Sequence, residues 1–481
     1  MTQARKLSDL GLTARGGENP AITGLCVDSR AVTPGNLFAA LPGTASHGAR
    51  FADSALARGA AAVLTDAAGA ALLRGTWPAG TALILAQDPR QALAYAAALW
   101  FGAQPETMVA VTGTNGKTSV CTFTRQIWMA LDHAAINIGT TGIEGAWHAA
   151  STHTTPEAAH EGVTHAAMEA SSHGLDQRRL DGVRLTAAAF TNFTQDHLDY
   201  HHTFEAYFEA KASLFSRLLP EDGVAVINSD DPRGQEMAAI AESRGQDVLR
   251  VGHGAGADLR ITGQRFDATG QDLRLDWMGQ AHQVRLSLIG GFQADNVALA
   301  AGLAIGAGDD PARVLAALPQ LTGVRGRMQL AATRTNGAAV FVDYAHTPDA
   351  LATALRALRP HVLGRIVVVF GAGGDRDTSK RPLMGKAAAD HADVLFVTDD
   401  NPRSEDPATI RAAILATCPG ASEVGDRAEA ILRGADALGP GDALLVAGKG
   451  HESGQVIAGQ TYPFDDAEQA SVAVAALDGL I

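Results

Sequence analysis

The stretch Met108-Val-Ala-Val-Thr-Gly-Thr-Asn-Gly-Lys-Thr-Ser-Val120 constrains this chain more than any other. Met108 to Val111 is a short apolar run of the kind that forms a buried parallel strand. Gly113 and Gly116 punctuate a tight loop, and from Thr118 to Trp128 apolar residues return at helical spacing. Strand, Gly-rich loop, Lys-Thr and helix together predict a phosphate-binding loop. Glycines let the backbone aim several N–H groups at one anion, and the helix N-terminus adds partial positive charge. Lys117 then reaches the β- and γ-phosphates, and the Thr118 hydroxyl takes a Mg2+ position. The commonest form of this loop has a Gly six residues before the Lys, where this chain has Val111. The other reading is an ordinary Gly-rich turn, which the placement of Gly-Lys-Thr between strand and helix disfavours.

A chain of 481 residues is expected to make about three domains. It is 46% hydrophobic and 19% charged, as a globular protein with sizeable cores is. The net charge of -14 argues against a nucleic-acid binder or a polybasic membrane-surface protein, although a local site for anionic substrates can still be basic. Cys26, Cys121 and Cys418 are scattered, which suggests a reducing compartment and no disulfide framework. The first residues have no apolar signal core, and no apolar run is long enough to span a bilayer. A cytoplasmic protein with small-molecule partners is the expectation.

Residues 1–103 read as mixed α/β. Strands are expected at Ile22 to Val27, Asn36 to Leu41 and Ala61 to Leu64, with a helix over Phe51 to Arg58. Asp28-Ser29-Arg30 and the loop Pro42 to Gly48 make either a small polar ligand site or two surface turns.

Residues 104–327 begin with the phosphate loop and continue through several polar clusters. Glu169 ends an apolar run and is followed by Ser-Ser-His-Gly, a placement suited to holding Mg2+ beside the loop. The segment from Thr191 to His202 is dense in ligand-type side chains. Its His and Asp spacing fits no familiar zinc pattern, so a Mg2+ or nucleotide role fits better. Phe204, Tyr207, Phe208, Leu214 and Phe215 share a broad helical face with Lys211 close to it, and a lysine so placed ordinarily snorkels to water. Leu286 to Phe292 reads as a strand, then a Gly-Gly turn and an Ala-rich helix. Asn296 near its start either reads a base or caps the helix.

From residue 328 to 481 strand and helix alternate. Four expected strands run into Gly-rich, charged or His-containing loops: Val340 to Asp343, Arg365 to Phe370, Val394 to Thr398 and Ala443 to Val446. Open parallel sheets bind ligands at the carboxyl ends of their strands, so a site belongs there. Gly371-Ala-Gly-Gly is not a dinucleotide fingerprint, because Arg376 occupies the third Gly position.

These segments in order resemble the Mur ligases of peptidoglycan synthesis, in the branch that adds the third residue of the stem peptide. The resemblance rests on Thr112 to Ser119, Glu169 to Gly174, Asp196 to His201, Ala210 to Phe215, Gly326-Arg-Met, Asp343 to Pro348 and Gly448 to Glu452. It implies an α/β protein of three domains: a UDP-binding N-terminal domain, a central P-loop ATPase with a mainly parallel sheet, and a C-terminal Rossmann-like domain. Asp400-Asn401-Pro402-Arg403 looks like the signature of the meso-diaminopimelate branch. Arg403 can pair bidentately with the far carboxylate of that acceptor, which lysine lacks.

The implied reaction is ATP-dependent amide formation through an acyl phosphate on UDP-MurNAc-L-Ala-D-Glu. The resemblance implies that Gly113, Thr114, Asn115, Gly116, Lys117, Thr118, Ser119, Asn296, Arg327 and Asp343 hold ATP. Glu169 and His197 support Mg2+ with Thr118. Lys211 matches the family lysine that reacts with CO2 to give a carbamate able to bind a second Mg2+. Val27, Ser29, Thr44, Ala45 and Ser46 match uridine and pyrophosphate contacts. Thr154, Thr155, Ser171, Gln177 and Arg179 match contacts to the rest of the nucleotide peptide. Arg376, Asp400, Asn401, Pro402, Arg403, Gly448 and Glu452 match diaminopimelate contacts. A monomer is expected.

One departure stands out. The family usually places a helix of about three turns between Thr155-Pro156 and Met168-Glu169, and Glu157 to Thr164 is too short for that helix and the strand. A lost helix would expose apolar surface or shift Glu169. The alternatives are therefore another ligase of the superfamily, such as a folylpolyglutamate synthetase or the D-Ala-D-Ala-adding ligase, or a nucleotide-binding protein whose catalysis is lost. Asp400 to Arg403 argues against the first two.

Overall fold

The computed structural model describes residues 4–43, 46–73, 77–145, 155–194 and 198–480. Three mainly parallel sheets follow one another along the chain, each with its own core. The first has four parallel strands, Gly24–Cys26, Asn36–Ala39, Ala62–Thr65 and Ala82–Leu85, in chain order. The expected strand at 22–27 is split: Ala21–Ile22 instead pairs antiparallel with Arg5–Lys6. The expected helix at 51–58 opens as a 3-10 turn, Gly48–Phe51, before Ala52–Ala57.

The second sheet has ten strands. Its centre is Thr107–Thr112, whose apolar residues are buried on both faces, with His165–Glu169 on one side and Ala187–Phe190 on the other, all parallel. Successive connections wind to opposite sides of Thr107–Thr112, so the carboxyl end of this strand is the crevice where an open α/β sheet takes its ligand. The helix Lys117–Ala130 packs Val120, Phe123, Ile127 and Trp128 into the core of one face, together with the Ala-rich helix Phe292–Gly306. The opposite face is covered by Tyr207, Phe208 and Phe215 from the helix Phe204–Ser213 and the turn that follows it.

Two expectations in this sheet need correction. The strand expected from Leu286 ends there: it is Gln280–Leu286, an antiparallel edge paired with Gly270–Trp277. The helix before Glu169 is not lost. Thr155–His160 makes a short one, stopped because Gly162 turns left-handed (φ 84°) and the N–H groups of Gly162 and Val163 return to the carbonyls of Ala159 and Ala158. Ala158 and Val163 are buried, so these two apolar residues of the segment are covered. Strand register sets Glu169 opposite Val111, beside the loop.

The third sheet runs in the spatial order Gln329–Thr333, Ala339–Asp343, Ala443–Ala447, Ile366–Phe370, Val394–Val397, Ser422–Glu423, parallel except for the first pair. All four strands read from the sequence are present. A hairpin, Gly454–Ile457 with Gln460–Pro463, was not anticipated and sits against the backbone of Arg403. Among the described residues no helix is long and apolar enough to cross a membrane.

Candidate active site

The loop after Thr112 owes its shape to two glycines. Gly113 has φ 146°, and a Cβ there would lie 1.9 Å from the Thr191 hydroxyl; Gly116 has φ 86°, and a Cβ there would lie 2.5 Å from Asn296 Oδ1. The Thr191–Thr194 segment, from the end of the neighbouring strand, braces the loop. The Asn115 N–H donates to Asn192 Oδ1 (2.8 Å), Thr114 N–H to the Asn192 carbonyl (2.8 Å), and the Thr191 hydroxyl to the Asn115 carbonyl (2.5 Å). Gly116 offers no side-chain cap to the helix Lys117–Ala130, so that helix presents its first N–H groups as an anion site, with Ser119 buried in its first turn.

Two ammonium groups meet at one carbonyl. Lys117 Nζ donates to the carbonyls of Gly113 (3.0 Å) and Thr114 (2.8 Å), and Lys211 Nζ donates to Gly113 O at 2.6 Å. Lys211 does not snorkel: it is 1% exposed and lies 4.4 Å from the centre of the Tyr207 ring. A buried cation needs partners, and here the loop supplies one.

Oxygen donors converge on the other side of the loop. Glu169 Oε1 accepts from the Thr118 hydroxyl (2.9 Å) and the Thr140 N–H (2.9 Å). The carboxylate reaches that position because residue 139 is Gly; a Cβ there would sit 2.1 Å from Glu169 Oε1. A hydroxyl and a carboxylate at a helix N-terminus are the hard ligands Mg2+ takes, so the residues fit that ion. His197, Thr44, Ala45 and Thr154 lie outside the described residues. No group of three or more His, Cys, Asp or Glu that could hold a metal occurs among the described residues.

The third sheet closes on this loop. Arg327 Nη2 donates to the Thr118 hydroxyl at 3.3 Å, and its guanidinium lies 4.6 Å from the centre of the Tyr344 ring. Gly326 makes the approach possible: it is left-handed, and a Cβ on it would strike His451 N at 2.2 Å. Asp343 accepts the N–H groups of Met328 (2.7 Å) and Ala345 (2.9 Å). Burial raises its carboxyl pKa, and Arg327 opposes that rise. Asn296 is buried against Gly116 and bonded to Gln293, beside the loop.

At the carboxyl edge of the third sheet, Asp400 and Asn401 are buried, and Asn401 Nδ2 donates to Glu452 Oε2 at 2.9 Å. Gly448 (φ 121°) admits the Asp400 carboxylate, whose Oδ2 would be 2.5 Å from a Cβ there. Arg403 is left-handed (φ 54°), held by Arg403 N–H to Val456 O (2.9 Å) and Ala458 N–H to Arg403 O (2.7 Å). Its guanidinium donates to Gly374 O at 2.7 Å, and the Pro402 carbonyl packs against Gly374. Arg376 is exposed on the same Gly-rich loop and, among the described residues, is not bonded to this group.

In the first sheet, Val27, Ser29 and Ser46 also follow strand ends, with Val27 63% exposed. The neighbouring cleft, about 530 Å³, is lined by Pro42, Asp66, Asp88, Arg90 and Arg178 among others. Arg178 crosses from the second sheet to Asp88 at 2.8 Å, between Gln177 and Arg179, which bond each other at 2.8 Å. Ser171 caps the short helix Ser172–Asp176, and Thr155 begins the helix already described.

Three family models cover most of the chain: the Mur ligase middle domain at residues 111–304, the Mur ligase glutamate ligase domain at 326–450, and the Mur ligase family catalytic domain at 21–100. A UDP-N-acetylmuramoyl-L-alanyl-D-glutamate–2,6-diaminopimelate ligase from Caulobacter vibrioides is 50% identical over 98% of this chain and 99% of its own. The chain belongs to the Mur ligase family. A ligase of the same name from Bradyrhizobium diazoefficiens is 51% identical to this Mur ligase over 94% of it and 95% of the relative. A solved structure of a UDP-N-acetylmuramoyl-L-alanyl-D-glutamate–2,6-diaminopimelate ligase superimposes with a TM-score of 0.71 at 34% identity, covering 98% and 99% of the two chains. A MurF ligase from Thermotoga maritima in complex with ADP shares the fold, with a TM-score of 0.63 at 18% identity over 95% and 98%.

Sequence reasoning missed several residues of this Mur ligase that shape the site. Asn192, Thr140 and Tyr207 brace the loop, Glu169 and Lys211 from other elements. Asn192 carried a signal in the ligand-dense run 191–202, and Tyr207 carried one only as part of the apolar helical face beside Lys211. Asp66 and Asp88 each follow a strand end, which is a weak signal by itself.

Proposed function

We propose that the chain joins meso-diaminopimelate to UDP-MurNAc-L-Ala-D-Glu at the expense of ATP. The observation that carries this reading is Arg403 at the carboxyl edge of the third sheet beside the bonded pair Asn401 and Glu452, in a chain half identical to ligases named for that acceptor. Arg403 would take the far carboxylate of the acceptor, and Glu452 with Asp400 its far ammonium. The γ-carboxylate of D-Glu attacks the γ-phosphate of ATP and ADP leaves; the acceptor amine then attacks the acyl phosphate, loses a proton, and the amide forms as phosphate is released.

Lys117, Arg327 and the open helix N-terminus bind the ATP phosphates and hold them in line, so catalysis is largely positioning and charge neutralisation. Thr118 and Glu169, with His197, would hold Mg2+, which neutralises phosphate charge when bound. Lys211, as a carbamate formed with CO2, would supply a carboxylate to a second Mg2+. Asn296 and Asp343 would hold the nucleoside. Val27, Ser29 and the 44–46 loop would take the uridine diphosphate end, and Thr154, Thr155, Ser171, Gln177 and Arg179 the sugar and dipeptide. Cytoplasmic monomers with these three small-molecule substrates complete the reading.

The test is phosphate release from ATP with UDP-MurNAc-L-Ala-D-Glu, comparing meso-diaminopimelate with L-lysine. Release with diaminopimelate alone is expected. Release with lysine would leave a ligase but remove the role of Arg403, and release with neither would leave a nucleotide-binding protein.

A further inference from the structure

Lys449 is fully buried, yet nothing in the reaction above uses it. Its ammonium donates to Asn401 Oδ1 (3.2 Å), Glu452 Oε2 (3.2 Å) and the Gly454 carbonyl (2.6 Å). An ammonium has three donors, and three acceptors surround it. Asn401 Oδ1 also accepts the Val456 N–H at 2.9 Å. With two donors on its oxygen, the amide has one orientation, and its Nδ2 must face Glu452, to which it donates at 2.9 Å. A flipped amide would set its NH2 against an ammonium and a backbone N–H. Both bonds to the Glu452 carboxylate fall on Oε2, while the side chain stays 34% exposed.

We infer that Lys449 is a positioning residue for the acceptor amino acid. It orients the Asn401 amide and the Glu452 carboxylate as one unit, and so sets how the acceptor's far ammonium is held. The inference rests on the assignment of Asn401 and Glu452 to the acceptor. The frame behind it is rigid: Arg427 and Asp466 form a fully buried ion pair, and Arg427 Nη2 donates to Ala447 O (3.0 Å), two residues before Lys449. Asn401 and Glu452 come from different strand ends, and without the cation the carboxylate keeps, among the described residues, only its bond to the amide. A buried lysine that only filled space would affect all substrates alike.

The experiment compares Lys449→Met and Lys449→Arg with the unaltered enzyme in steady-state phosphate release. For Lys449→Met the KM for meso-diaminopimelate is expected to rise about tenfold to a hundredfold, the scale of a lost hydrogen bond to a charged group. The KM for ATP should stay within about twofold, because among the described residues the bonds of Lys449 go to Asn401, Glu452 and Gly454 and not to the phosphate loop. Lys449→Arg keeps the charge and should restore part of the acceptor KM. Equal rises in both KM values, or no change in either, would overturn the inference. If Lys449→Met does not fold, Lys449→Arg decides by the same split. If the unaltered enzyme rejects diaminopimelate but uses another amino acid, the proposed acceptor is wrong. The split is then measured with the acceptor it does use, and the role of Lys449 is decided independently.

Discussion

Lys211 shows how a single side chain escapes its ordinary behaviour. A lysine on an amphipathic helix usually lets its head reach water, but here Tyr207 and the Gly113 carbonyl enclose it. Its stem lies in the core while its nitrogen touches the Gly113 carbonyl of the Gly-rich loop, which is the contact the proposed role rests on. We expect Lys211→Ala to lower kcat by at least about a hundredfold, the scale of removing a group that stabilises transition-state charge. Added bicarbonate should not rescue it, since the alanine has no amine to modify. Near-normal turnover in a phosphate-release assay would remove Lys211 from the mechanism. Arg403 is a second such residue: its left-handed backbone costs roughly 1–2 kcal/mol, which two backbone bonds to the hairpin offset.

The elements that carry the site are strands whose carboxyl ends feed loops, and their other ends serve stability. His165 opens the strand that Glu169 closes. Its ring stacks on His133 at 4.1 Å, and burial, reinforced by His133, lowers its pKa from 6.5 to about 4. A histidine held neutral in the fold but free to protonate when unfolded makes the unfolded state bind more protons between about pH 4 and 6.5. Its contribution is therefore complete above pH 6.5 and lost as the pH falls through that window. Burial lowers His361 and His451 in the same direction. We expect the melting temperature to fall from pH 6.5 towards pH 4, and His165→Gln to flatten part of that slope. An unchanged slope in the variant, followed by circular dichroism across this range, would refute it. The short helix Thr155–His160 makes a related point: a glycine-stopped turn and a half suffices to deliver the strand in register.

At the scale of the whole molecule, the Gly-rich loop of the second sheet, proposed to take ATP, meets the third through Arg327 to Thr118, with Gly326 against His451. Nucleotide bound there should tie the two together. We expect Mg2+ and ATP at about a hundred times Kd to stabilise the chain by about 2.7 kcal/mol, by mass action alone. Arg327→Ala should need more nucleotide for the same shift, without lowering the melting temperature of the free protein by a comparable amount. Calorimetry with and without nucleotide reads both quantities, and an equal nucleotide response in the variant would place Arg327 outside the site.

Local pattern carried much of this. The apolar run before Gly113, the Gly-Lys-Thr at a helix start and the four strand-to-loop junctions of the third sheet are all short-range features, and each formed where the residues indicated. The α/β class and the family followed from their order along the chain. Boundaries set by turns were less legible: the edge strand at 280–286 carries polar residues on its exposed face, and only its antiparallel partner makes it a strand. The convergence of Lys117 and Lys211 on one carbonyl joins residues 94 apart, and the Lys449, Asn401 and Glu452 triangle joins two strand ends 48 residues apart or more. Such contacts depend on strand order in space, which no local periodicity records. The sequence by itself thus determined the elements and the chemistry available to them; the tertiary structure alone decided which charges are buried together, because burial and partnership are properties of packing.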